Sequence, residues 1–208
     1  VQRQRGLAGA FRTVDFQDAP ARRSHIALFT PESLDLKVGD YVAAESHITC
    51  GQCFQCRTGQ AHVCRNYRIL GVDRDGSFAE YVALPEKVLW HTPAALPPEF
   101  ASVQEPLGNA VDAALVEDLT GHTVLITGCG PTGLFSSAVA RTAGAATIIA
   151  SDVSAYRLNL AKQVGVDYVL NAKTETPAQI AAAIRDITAG DGVDAALEMS
   201  GNPGALHV

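Results

Sequence analysis

Apolar and polar positions settle into a repeating pattern from Thr123 onward. Thr123–Thr127 is an apolar run entering Gly128, residues 134–142 have helical spacing and stop at Gly144, and residues 146–151 form a second apolar run ahead of Asp152. Residues 154–164 then predict a helix capped by Ser154, and residues 166–170 a strand. Residues 177–189 predict a helix with proline in its first turn, and residues 193–198 a fourth strand. Strands alternating with helices imply right-handed βαβ units and a parallel sheet, an α/β fold.

The first half is patterned differently. Residues 37–44 read as a Gly-Asp turn and a strand, and residues 77–84 as a strand ended by Pro85. They suggest a partial β barrel, with residues 45–70 as an excursion between its strands. Pro93, Pro97 and Pro98 mark the approach to a second domain, and residues 110–119 predict a helix ended by Thr120-Gly121. The organisation read this way is an unassigned segment over 1–35, a barrel part over 36–100 with a lobe at 45–70, and an α/β part over 101–208.

The chain has 208 residues, 47% of them hydrophobic and 18% charged, which suffices for packed cores. No run of 18 or more apolar residues exists, so no membrane span is expected. A net charge of −6 disfavours nucleic acid as a partner. Residues 1–23 carry five arginines against two aspartates, net +3, leaving −9 for the rest. An Arg-rich, acid-poor start can be a transit peptide; the simpler expectation, with no secretory h-region, is the cytoplasm.

Four of five cysteines, Cys50, Cys53, Cys56 and Cys64, follow C-x2-C-x2-C-x7-C. Four thiolates so close suit a closed, structural tetrahedral Zn²⁺ site, and an iron–sulfur cluster is the competing reading. So small and polar a lobe buries little apolar surface, and a metal would supply its missing folding free energy. Arg57, Arg65 and Arg68 read as a solvated face. Cys129 reads as a small buried residue beside a turn.

Residues 128–133, Gly-Cys-Gly-Pro-Thr-Gly, fit G-x-G-x-x-G between a strand and a helix, the context a dinucleotide fingerprint requires. Gly128 permits the tight turn, Gly130 lets a pyrophosphate approach, and Gly133 lets the helix pack closely. The helix N-terminus adds free N–H groups and partial positive charge. Asp152, at the end of the second strand, is placed to accept the ribose hydroxyls and repel a 2′-phosphate, which favours NAD. Arg157, one turn on, is placed to stack on adenine or bind the ribose. The alternative is an ordinary glycine turn with Asp152 as a helix cap.

Glu45-Ser-His-Ile-Thr-Cys50, Leu70-Gly-Val-Asp-Arg-Asp75, Gln104-Glu-Pro-Leu-Gly-Asn-Ala-Val111 and Asp152-Val-Ser-Ala-Tyr-Arg157, with the cysteine lobe and the glycine turn, are similar to segments of the zinc-dependent medium-chain alcohol dehydrogenases, above all their threonine dehydrogenase branch. The resemblance runs from about Leu36 onward. It implies a GroES-like catalytic domain followed by a Rossmann domain, structural zinc on the four cysteines, and NAD contacts at Thr132, Asp152 and Arg157. It also implies a glutamate beside or on a catalytic zinc at Glu105, L-threonine or a similar small alcohol as substrate, and a homotetramer. Glu105 can otherwise cap the segment after Pro106. A polyol or secondary-alcohol dehydrogenase, or a non-catalytic zinc- and nucleotide-binding remnant, would share most of these motifs.

The departures are specific. The Cys-Gly-Thr-Asp and Gly-His-Glu motifs that supply the family's catalytic zinc ligands do not precede Val38. His25 is followed by Ile26 and is expected at the surface. Asp112 stands where many relatives carry histidine. The expectation is an incomplete gene product, lacking a second Rossmann half and most catalytic zinc ligands.

Overall fold

The computed structural model describes residues 10–14, 25–28 and 36–207, the first two segments by backbone alone. The chain divides into two compact units, Val1–Glu105 and Pro106–Val208.

The first unit contains β1 (Ala10–Val14), β2 (His25–Leu28), β3 (Tyr41–Ala44), β4 (His47–Ile48), α1 (Phe54–Arg57), β5 (Arg68–Ile69), β6 (Tyr81–Leu84), β7 (Leu89–His91) and α2 (Pro98–Ala101). Its main sheet has the order β6-β2-β1-β3-β7, and β4 pairs with β5 at the base of the lobe. Two of those strands, β1 and β2, come from residues 1–35, where the sequence pattern alone assigns no element. The exposure expected of His25 lies outside the described side chains. Val42, Ala44, Leu70, Val82, Leu84, Val88 and Leu89 form the core. The expected strand over 77–84 is shorter, because the chain first makes a tight turn. A Cβ on Gly76 would lie 2.9 Å from the Cα of Gly71, so the two backbones touch and Ser77–Glu80 are not yet extended.

The second unit contains α3 (Gln104–Ala114), which begins at the junction, then β8 (Thr123–Thr127), α4 (Pro131–Thr142), β9 (Thr147–Asp152), α5 (Ala155–Gln163), β10 (Tyr168–Asn171), α6 (Pro177–Ile187) and β11 (Ala195–Glu198). All four strands are parallel, in the order β10-β9-β8-β11. Successive strand residues point to opposite faces, which sorts the core. Val124, Ile126, Ile148 and Ala150 pack with Ala140, Leu158 and Ala161 on one face. Leu125, Ile149 and Leu170 pack with Ile180 and Ile184 on the other. Apolar runs without alternation are therefore what a sheet covered on both faces requires. Ser154 caps α5, its hydroxyl accepting from the Arg157 N–H, and Thr176 and Gln179 form a reciprocal capping box on α6.

The helix expected over 110–119 starts six residues earlier and stops at Ala114. Pro106 does not prevent the early start, since N–H groups in a first helical turn have no intrahelical partner. After it, the Asp118 carboxylate accepts from the Thr120 N–H at 2.9 Å and shapes a turn. Among the described residues no helix is long and apolar enough to cross a membrane.

Candidate functional site

Three clusters of chemistry-bearing side chains emerge among the described residues. In the lobe, Cys50, Cys53, Cys56 and Cys64 bring their sulfurs within 4.8 Å of one another, with no disulfide among them. The separations are 3.5 Å for Cys53–Cys56, 3.8 Å for Cys53–Cys64 and 3.5 Å for Cys64–Cys50. A tetrahedral zinc with Zn–S bonds of about 2.3 Å sets its sulfurs about 3.8 Å apart, so the four thiols fit one ion. The N–H groups of Gln52 and Cys53 lower the Cys50 thiol to about 6, which favours the thiolate that a metal needs. The Cys50 and Asn66 N–H groups point at Cys64 Sγ, at 3.3 and 3.4 Å.

In the second unit a cavity of about 460 Å³ opens at the C-terminal ends of the strands, where open parallel sheets bind ligands. Gly128 has φ +95°, and a Cβ there would lie 2.7 Å from Ser200 Cα. A Cβ on Gly133 would meet the Gly128 carbonyl oxygen at 1.8 Å. Both glycines are dictated by the chain's own packing. Gly130 is different: its backbone is extended, a Cβ would meet nothing within 4 Å, and it lines the cavity as the N-cap of α4. Asp152 also lines it, with a side chain only 5% exposed. Its Oδ2 accepts from the Cys129 N–H and its Oδ1 from the Ser154 N–H, both at 2.7 Å. The carboxylate thus ties the glycine turn to the end of β9, while Ser154, not Asp152, caps α5. Arg157 Nη1 lies 4.0 Å from Asp152 Oδ2. Cys129 is 1% exposed, and burial pushes its thiol up to about 12, as expected of an inert core residue.

The third cluster joins Glu45, His47 and Glu105. Glu105, in the first turn of α3, accepts from the Ser46 hydroxyl at 2.6 Å. His47 Nδ1 lies 2.7 Å from Glu45 Oε1 and 3.9 Å from Glu105 Oε1.

Residues 25–94 match the alcohol dehydrogenase GroES-like domain, and residues 131–207 match the zinc-binding dehydrogenase family. Over 172 residues the chain is 52% identical to the L-threonine 3-dehydrogenase of Pyrococcus horikoshii, covering 83% of this chain and 49% of that one. Identity to the Bacillus subtilis enzyme of the same name is 49% over 171 residues, covering 82% and 48%. An alcohol dehydrogenase structure from Thermotoga maritima superposes with a TM-score of 0.71 at 30% identity, covering 82% of this chain and 50% of that one. A zinc-binding dehydrogenase from Sinorhizobium meliloti bound to NADP gives 0.72 at 32%, covering 84% and 51%. The chain belongs to the zinc-binding alcohol dehydrogenase family.

It spans about half the length of the curated relatives it matches. The GroES-like match begins at His25, the first residue of β2. Within this zinc-type dehydrogenase chain, the four cysteines meet in one cluster, and Gly128, Gly130, Asp152 and Arg157 meet on one cavity wall. Gly133 lies behind the turn, and Thr132, half-buried in α4, is not among the residues lining that cavity. In the sequence Glu105 is marked by its motif, whereas Glu45 and His47 carry no assigned role. The signal was present, since both stand in the quoted segment before Cys50. What was missing is the fold that brings Gln104-Glu105 to that segment from 59 residues away.

Proposed function

We propose that the protein is an NAD-linked, zinc-type dehydrogenase that oxidises the carbinol of L-threonine or a closely similar small alcohol. Gly130 carries the cofactor part of this reading. It is a glycine that the surrounding protein does not need, standing at a helix N-terminus on a cavity wall beside a fixed carboxylate. The Gly130 backbone and the first turn of α4 hold the pyrophosphate, and Asp152 accepts the ribose hydroxyls. When bound, the nicotinamide supplies the acceptor for the hydride leaving the carbinol carbon. Asp152 favours NAD over NADP, because a 2′-phosphate faces a carboxylate already fixed by two N–H groups. The four cysteines hold a structural zinc that folds the lobe.

A catalytic zinc does not fit the third cluster as it is folded. Two ligand atoms on one tetrahedral ion stand about 3.4 Å apart for bonds near 2.1 Å, and His47 Nδ1 and Glu45 Oε1 are at hydrogen-bond distance. The cluster is instead a proton-exchanging network. Ser46 donates to Glu105, and His47, donating Nδ1–H to Glu45, is 38% exposed and in contact with solvent. The imidazole can take up a proton and release it to water. The substrate is carried over from relatives half covered by this chain, and the same reading includes a cytoplasmic homotetramer.

The test is initial rates of NADH formation on L-threonine, sorbitol and 2-butanol with zinc added, beside calorimetric titration with NAD and NADP. The reading expects tighter NAD binding and L-threonine ahead of the other alcohols. A polyol as the best substrate would move it to another branch of the family. Equal or tighter NADP binding would overturn the role of Asp152.

A further inference from the structure

The strand order says what each part of the cavity at the ends of β8–β11 receives. Phosphates held at the N-terminus of α4 lie over β8, and Asp152 ends β9. A nucleotide running from one to the other continues, in the order β10-β9-β8-β11, over the end of β10. The wall there consists of Ala172, Glu175, Pro177 and Ile180, with Val153 beside them. Val153 is 60% exposed although apolar, and it offers a face on which a flat ring can lie.

Glu175 is the charged residue of that wall, and it is held in place. Its Oε1 accepts from the Asn171 N–H at 3.2 Å, and Asn171 stands directly opposite Asp152 in the β9–β10 register. No hydrogen-bond partner of Oε2 is found among the described residues. We propose that Glu175 reads the base, its free carboxylate oxygen accepting a hydrogen bond from the exocyclic amine of adenine. Apolar walls bind any purine by its faces, but a fixed acceptor at the rim selects one that carries a donor at position 6. This inference rests on the dinucleotide reading of the cavity and adds a specificity-determining residue to it.

The experiment is calorimetric titration of the full 208-residue chain with NAD and with its 1,N6-etheno derivative, whose N6 carries no hydrogen. A hydrogen bond to a charged group is worth about 1.5 kcal/mol at the lower end of its range, so wild type should bind NAD about tenfold more tightly. In Glu175→Ala that preference should collapse to about twofold. The bulk of the etheno bridge is the same for both proteins, so the change in ratio isolates the contact. Glu175→Gln retains an acceptor for the Asn171 N–H and should give an intermediate ratio. If Glu175 only fastens the turn, both ligands weaken together and the ratio stays put, which overturns the proposal. Equal binding of the two ligands by wild type overturns it without any variant. Failure of wild type to bind either ligand removes the dinucleotide reading itself, and this inference with it.

Discussion

Gly130→Ala separates what the fold needs from what a ligand needs. The added methyl meets no protein atom within 4 Å, and φ −68° with ψ −177° suits alanine. Two small effects on stability oppose each other. Alanine lowers the entropy of the unfolded chain, a gain of about 0.4–1 kcal/mol. It is also a poorer N-cap than glycine, a loss of similar size. The melting temperature should therefore stay within about 3 °C of wild type. Binding should not survive so well. The methyl projects into the space through which a pyrophosphate must approach the N–H groups of the turn. Losing one hydrogen bond to a charged oxygen costs about 1.5–3 kcal/mol, so the Kd for NAD should rise roughly 10- to 100-fold. Gly128→Ala and Gly133→Ala are the contrasting controls. Each puts a Cβ inside another backbone, at 2.7 Å and 1.8 Å, so each should lower the melting temperature by many degrees or prevent folding. The measurements are differential scanning calorimetry and isothermal titration. A Gly130→Ala protein that binds NAD like wild type would refute the reasoning, and so would one that unfolds like the other two.

Elemental analysis should find one zinc per chain, and a thiol reagent should modify four further cysteines once a chelator removes it. Cys129 should react only on unfolding; a metal-free chain with an ordered lobe would count against the site. Asp152→Asn should narrow the preference for NAD over NADP by about tenfold, a change in charge read by paired titrations. Glu198 is held below the usual carboxylate range, first by the Ser200 hydroxyl and then by the Ser200 and Gly201 N–H groups. A carboxylate lowered in the folded state contributes stability above its unfolded value near 4.3, and the contribution fades as pH falls through the folded value. Ser200→Ala should therefore be less stable than wild type at pH 7, with the difference shrinking below pH 4 in paired thermal melts.

The α/β half was legible in the sequence because each of its elements is specified locally. Apolar runs between glycines make strands buried on both faces, and Ser154 and Thr176 cap helices within three residues of themselves. The cysteine cluster was legible for the same reason, since its four ligands lie within fifteen residues and spacing alone brings them together. The roles of individual glycines were not, because Gly128, Gly130 and Gly133 look alike in sequence. Only the approach of Ser200 to Gly128 and of Gly128 to Gly133 shows which are packing residues and which faces a ligand. Likewise the Glu45, His47 and Glu105 network depends on a contact 59 residues apart, and Glu175 matters because strand register sets Asn171 against Asp152. Neighbours in sequence interact through local backbone geometry, whereas these groups meet only after sheet order and helix packing have fixed where each chain segment ends.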